Sequence, residues 1–312
     1  MKPIAILYEH PEWFKPLFAA LDRRGVDYTH LDATRLVWDA TERESPYSLV
    51  VNRMSPSARS RGNAHAIWSS LHYLEHLDRI GANVLNGARA FRLELSKADQ
   101  LDVFEELGVP YPAARVVNHV SQLAVAAEGL RFPVVIKPNI GGSGTGIVEY
   151  ETVEQLVADG EAGAVDFGVD HTLLVQERLP AHGNRVVRVE VLDGRMLYAI
   201  ALELEPGTFN LCPADYCRVP DAGADTEPAP EAPERSLIER VEPPAELART
   251  AERLVAAAGA DVGGVEYLID DRDGVAYFYD VNVLSNFVAD APTILGFDPH
   301  ERLADLIVER AR

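Results

Sequence analysis

The segment "FPVVIKPNIGGSGTGIVEY", Phe132 to Tyr150, places a lysine inside an apolar run and follows it with glycines at 141, 142, 144 and 146. The run reads as a buried strand. Glycines let backbone N–H groups turn inward and approach an anion closely, and Ser143 and Thr145 add hydroxyl donors. The loop has neither the Gly-Lys-Ser/Thr of a Walker A sequence nor the spacing of a dinucleotide fingerprint. A strand lysine placed just before such a loop reaches the same anion as the loop backbone. Lys137, Gly142, Ser143 and Gly144 are therefore candidate phosphate ligands. The alternative is a lysine that snorkels to solvent from a strand end.

A second constellation lies in "GGVEYLIDDRDGVAYFYDVNVLSN", residues 263–286. Period two sets Val275, Tyr277, Tyr279, Val281 and Val283 on one face of a strand and leaves Asp280 and Asn282 on the other. In the preceding strand Val265, Tyr267 and Ile269 face one way and Glu266 the other. A three-residue turn Arg272-Asp273-Gly274, with glycine in the left-handed position, brings Glu266 opposite Asp280. A two-residue turn would shift the register by one and reverse Glu266. The longer turn is preferred because it also gathers the apolar faces on one side. Glu266, Asp280 and Asn282 then form a candidate magnesium site that is completed by phosphates and water, with manganese as a substitute. Two solvated acids on a hairpin are the competing reading.

Outward from these motifs, residues 1–90 alternate short apolar strands ("IAIL", 47–52, 82–86) with helical segments, the pattern of a small parallel α/β sheet. Ile67, Leu71, Leu74, Leu77 and Ile80 mark one buried helix face, and His65, His72 and His76 read as ordinary helix residues rather than metal ligands. Residues 91–178 form a second unit around the glycine loop, with Thr152 and Gln155 as a capping box. Residues 179–312 form a third, after Pro180 breaks the strand "TLLVQERLP" and acts as a hinge. Within it, 219–244 is rich in Pro, Ala, Glu and Asp, the composition of a mobile surface insertion.

Composition narrows the function. The 312 residues carry a net charge of -20, which would repel a polyanion, and no basic stripe offsets it, so nucleic acid is not an expected partner. No run approaches a membrane span, and "MKPIAILYEH" meets a charge too early for a signal peptide, so a cytoplasmic location is expected. Cys212 and Cys217 read as free thiols, with a redox pair as the alternative. Of 29 basic residues only Lys2, Lys15, Lys97 and Lys137 are lysine, so a retained lysine points to a required compact charge.

The order of "NGARAFRLELSKADQLDVFEELGVPYPAARVV", "FPVVIKPNIGGSGTGIV", "LLVQERLP" and the 263–286 hairpin resembles the ATP-grasp superfamily, among the ligases like ribosomal protein S6 glutamate ligase, glutathione synthetase and D-alanine–D-alanine ligase. The resemblance covers roughly residues 80–312. It implies an α/β ATP-grasp fold preceded by a Rossmann-like domain, with Lys97 and Lys137 on the phosphates of ATP, the 141–146 loop closing over them, and Gln176, Glu177 and Leu179 lining the adenine. It assigns the metal to Glu266, Asp280 and Asn282. Relatives carry an Asp-x-Arg segment where this chain reads "HGNRVVRVEVLDG", and spacing to Gly194 selects Arg188 over Arg185 as the catalytic arginine beside Lys137. Arg53, Ser285 and Asn286 are candidate substrate contacts. The implied activity is an ATP-dependent carboxylate–amine ligase joining small amino-acid-like substrates through an acyl phosphate. A ligase acting on a peptide tail and a non-catalytic nucleotide-binding regulator are the alternatives. A homodimer is compatible with the resemblance.

Overall fold

Strand β1 (Ile4–Tyr8) is buried along its whole length and pairs in parallel with β2 (Tyr28–Asp32) and β3 (Leu49–Asn52). A short β4 (Val84–Leu85) completes the sheet order β2-β1-β3-β4. Continuous apolar runs at β1 and β3 suit strands covered on both faces. β2, "YTHLD", is a half-buried edge strand, and its polar residues hid it from the sequence reading. Helix α1 (Lys15–Arg23) packs on one side of the sheet and α2 (Ala64–Arg79) on the other, α2 through Ile67, Leu71, Leu74 and Leu77. The computed structural model describes residues 2–142, 144–204 and 238–312.

Helices α3 (Ala88–Glu94) and α4 (Lys97–Glu106) lead out of this unit, α4 started by the Ser96 side chain accepting from Asp99 N–H. The next sheet is antiparallel, in the order β5-β8-β6-β7, from β5 (Ala114–Val117), β6 (Val134–Pro138), β7 (Val148–Tyr150) and β8 (Leu173–Glu177). Helices α5 (Leu123–Ala127) and α6 (Val153–Glu161) cover one of its faces. Thr152 caps α6 as expected, accepting from Gln155 N–H, whereas the Gln155 side chain returns to Glu151 N–H.

The third sheet has the order β11-β10-β9-β12-β13, built from β9 (Arg185–Leu192), β10 (Arg195–Glu203), β11 (Ile238–Val241), β12 (Val262–Ile269) and β13 (Ala276–Asn282). Helix α7 (Ala245–Ala257) covers one face, together with α4, whose Phe104 packs among Val189, Val265 and Val281. Residues 97–109, grouped by sequence with the middle unit, thus pack on the third sheet. The short α8 (Ala291–Leu295) and the last helix, α9 (Pro299–Arg310), pack with α1 and the first sheet.

Two expectations need correction. The insertion placed at 219–244 is too long, because Ile238–Val241 pairs with β10 as an edge strand. Its remainder up to residue 237, with Cys212 and Cys217, lies outside the described residues. The turn between β12 and β13 is also not the three-residue one. Asp270 N–H bonds to Val275 O, leaving the four residues 271–274 in the loop with Gly274 at φ 73°. The extra residue is absorbed by a bulge at Tyr279, since Tyr267 pairs with Phe278 and Glu266 with Asp280. Glu266 and Asp280 end up opposite each other as anticipated. Tyr279 does not share a face with Val281, and Phe278 takes the core position instead.

Candidate active site

Alternation along β6 directs Val134 and Ile136 into the helix-covered core and Val135 and Lys137 to the other face. That face borders a cleft between the second and third sheets, lined also by Gln176, Glu177, Leu179, Leu268 and Tyr279. Most of this lining is apolar, which suits a flat heterocycle. Glu177 commits its carboxylate to Arg131, accepting from the backbone N–H at 2.9 Å and from Nε at 3.1 Å.

Across the cleft the third sheet presents a short grid. Register places Arg188, Glu266 and Asp280 in one row across β9, β12 and β13, and Glu190, Gly264 and Asn282 in the next. Arg188 donates from Nε to Glu190 at 2.6 Å, from Nη1 to Glu266 at 2.8 Å and from Nη2 to Ser285 Oγ at 3.1 Å. Lys97, at the start of α4, reaches Asp280 at 2.6 Å, and Asn282 donates to the other oxygen of Asp280 at 3.3 Å. Lys137 Nζ lies 5.2 Å from the centre of the Tyr279 ring, a cation–π contact.

The charges bias one another. Burial lowers the Lys137 ammonium to about 8, and the nearby positive Lys97 pushes in the same direction. Burial would also lower Lys97, but the Asp280 carboxylate outweighs it and holds Lys97 above its usual value. Asp280 in turn is held below the usual carboxylate range, its own burial overcome by Lys97. Burial raises Glu266 despite Arg188.

The structure therefore brings together Lys97, Lys137, Arg188, Glu266, Asp280, Asn282 and Ser285. Arg53 joins them from the end of β3, donating to the Ser285 carbonyl. Asn286 follows, half-buried. Arg185, the rejected alternative to Arg188, pairs with Glu239 at the surface. In the glycine loop a Cβ added at Gly142 would lie 3.7 Å from Ser57 Cβ, and Gly144 has φ 71°. Ser143 lies outside the described residues.

Three contributors escaped the sequence reading. Glu94 accepts from Val283 N–H at 2.5 Å and Leu284 N–H at 3.3 Å, pinning the chain that follows Asn282. Burial, aided by the Asp280 charge, pushes Glu94 up to about 7. Asn139 accepts from Ala98 N–H at 2.9 Å and so ties the glycine-loop strand to the start of α4. Glu190 is wholly buried. An acidic residue in a helix or strand of so acidic a chain carries no local signal of such a role.

Among the described residues no cluster of three or more His, Cys, Asp or Glu side chains is arranged to hold a metal ion. Two carboxylates and an amide fall short of a free-standing cation cage. They do fit a hard divalent ion that brings further oxygen ligands with it, as magnesium does with nucleotide phosphates. Among the same residues no helix is long and apolar enough to cross a membrane.

No family model matches the sequence. D-alanine–D-alanine ligase A of Bradyrhizobium diazoefficiens is 28% identical over 251 residues, which are 75% of this chain and 63% of that protein. The chain thus spans less than two thirds of that relative's length. Among solved structures, ATP-grasp ligase PsnB complexed with a phosphomimetic variant of its minimal precursor, Mg and ADP superposes with a TM-score of 0.70 at 16% identity, covering 100% of both chains. D-alanine–D-alanine ligase from Bacillus anthracis complexed with ATP gives 0.65 at 14% identity, covering 100% of this chain and 97% of the other.

Proposed function

We propose that this chain, which has the ATP-grasp fold and resembles the D-alanine–D-alanine ligases, is an ATP-dependent carboxylate–amine ligase working in the cytoplasm. The observation that carries this reading is the row Arg188–Glu266–Asp280, with Lys97 on Asp280 and with Lys137 lining the adjoining, mostly apolar cleft. Cations and hard-metal oxygens concentrated there match a reaction in which charge on a transferring phosphoryl group must be neutralised.

In this reading Gln176, Glu177 and Leu179 flank the base, while Lys97, Lys137 and the loop at Gly142, Ser143 and Gly144 hold the phosphates. Glu266, Asp280 and Asn282 would hold magnesium, or manganese, which supplies charge neutralisation when bound. Arg53, Ser285 and Asn286 border the acceptor side. A carboxylate oxygen of one substrate attacks the γ-phosphorus as its bond to the ADP oxygen breaks. Arg188 stabilises the equatorial oxygens during that transfer. The amine then attacks the acyl carbon, phosphate leaves with the bonding pair, and the amine proton passes to solvent. Closure of the glycine loop excludes water from the acyl phosphate.

Small amino-acid-like substrates are the primary reading. The likeness to PsnB, a ligase solved with a precursor peptide, supports a peptide acceptor as the second. The test is phosphate release from Mg-ATP, screened against amino acids singly and in pairs and then against peptides. Release that requires one pair identifies a small-molecule ligase, and release that requires a peptide identifies the other. ATP binding with no release under any acceptor would overturn the ligase reading. Asp280→Asn is expected to lose at least about 100-fold in turnover while keeping a native circular dichroism spectrum; normal turnover would remove the metal assignment.

A further inference from the structure

Glu190 has no role in the reaction as proposed above, yet it is the most enclosed charge in the site. Its side chain is 0% exposed, and it holds Arg188 Nε at 2.6 Å. The second carboxylate oxygen, Oε2, is buried and has no hydrogen-bond partner. Between Glu190 and Asn282 in the second row lies Gly264. A Cβ built there would fall 2.6 Å from Arg188 Nη2 and 2.7 Å from Glu190 Oε1. The missing side chain of Gly264 is the slot in which the guanidinium and this carboxylate lie.

An arginine cannot shed its proton, so a buried guanidinium must keep an anion beside it. Arg188 has two, Glu190 and Glu266, and only Glu266 shares its row with Asp280. A metal that takes Glu266 takes one of Arg188's counter-ions. Were Glu266 the only one, metal binding would strand a positive charge in a low-dielectric site, and ion and arginine would compete for the same oxygens.

We propose that Glu190 is the standing counter-ion of Arg188 and thereby frees Glu266 to hold the metal–nucleotide. When Glu266 turns to the metal, Arg188 keeps its Nε bond, and the unpartnered Oε2 accepts a second guanidinium N–H to make a two-bond pair. Nη1 is then released toward the transferring phosphoryl group. Glu190 is a positioning residue, acting through Arg188, and Gly264 provides the space it needs. This rests on the metal–nucleotide site proposed above.

The test is binding of ADP to the full chain by titration calorimetry at stepped Mg2+ concentrations, which requires no knowledge of the acceptor. Glu190→Gln keeps shape and removes charge. It is expected to raise the Mg2+ midpoint for ADP binding by about tenfold or more, the size of effect seen for outer partners of metal ligands. The double variant Arg188→Met with Glu190→Met removes the cation together with its counter-ion and is expected to restore the midpoint to the wild-type value or below. A general loosening of the site would not be repaired by a second substitution. An unshifted midpoint in folded Glu190→Gln overturns the proposal, and so does a raised midpoint in the double variant, which decides alone if Glu190→Gln does not fold. Wild-type ADP binding that ignores Mg2+ overturns the metal site itself, and that outcome is distinct from both.

Discussion

Lys97 and Lys137 occupy one site with opposite protonation biases, and the difference is one of partners. Lys97 has Asp280 at 2.6 Å, whereas the contact of Lys137 is the ring of Tyr279. With its value near 8 when folded and 10.5 when exposed, Lys137 costs the free protein stability below pH 8. That cost is relieved as pH rises from 8 to 10.5. Phosphate arriving beside it would restore the ammonium. ATP binding at pH 9 is therefore expected to take up close to one proton, measured by calorimetry in buffers of different ionisation enthalpy. Lys137→Met should abolish the uptake, weaken ATP binding, and raise the melting temperature of the free protein. A variant that melts below the wild type would show that the buried charge is not a burden.

At the scale of elements, the glycine loop and the carboxylate hairpin place the reactive groups by backbone geometry. Gly146 has φ 78°, and a Cβ there would meet Pro138 Cγ at 2.8 Å. Gly146→Ala should cost about 1–3 kcal/mol in urea unfolding, because the left-handed conformation and the close approach both resist a side chain. At Gly141 the nearest atom to a Cβ is 3.8 Å away, so Gly141→Ala should change the unfolding free energy far less. Equal losses would mean the strain lies elsewhere. In the hairpin, one more turn residue and one bulged residue cancel, so the register of Glu266 with Asp280 was legible in the sequence while the path to it was not. Period two cannot reveal a bulge, since the aromatic at 279 suits either face and only packing of Phe278 into the core settles the phase.

Over the whole molecule, one buried side chain fastens the first sheet to the third. Asn86 donates to Val262 O at 2.7 Å and Val283 O at 2.6 Å, and accepts from Asp261 N–H at 2.9 Å and Val262 N–H at 3.1 Å. It does so from a left-handed backbone at φ 56°. Asn86→Ala should destabilise the protein by roughly 3 kcal/mol or more, since buried backbone groups lose their partners and alanine resists that conformation. A loss under about 1 kcal/mol in urea unfolding would show that the remaining contacts carry the junction. Further out, α9 reaches back to α1, with Arg24 bound to both Glu301 and Asp305.

What the sequence by itself determined is whatever is written within a few residues. The buried strand with its lysine, the glycine loop, the hairpin carboxylates and the apolar face of α2 all rest on local periodicity or on a residue type with few uses. Tertiary structure alone decided which elements share a core, that α4 lies on the third sheet, and that Glu94, Asn139 and Glu190 enter the site. Those carboxylates and that amide differ from their surface counterparts only in what folds over them. The bonds of Asn139 and Glu94 reach segments 41 and 189 residues away, and although Glu190 meets Arg188 two residues off, its complete burial is set by the strands paired beside it, which no local pattern encodes.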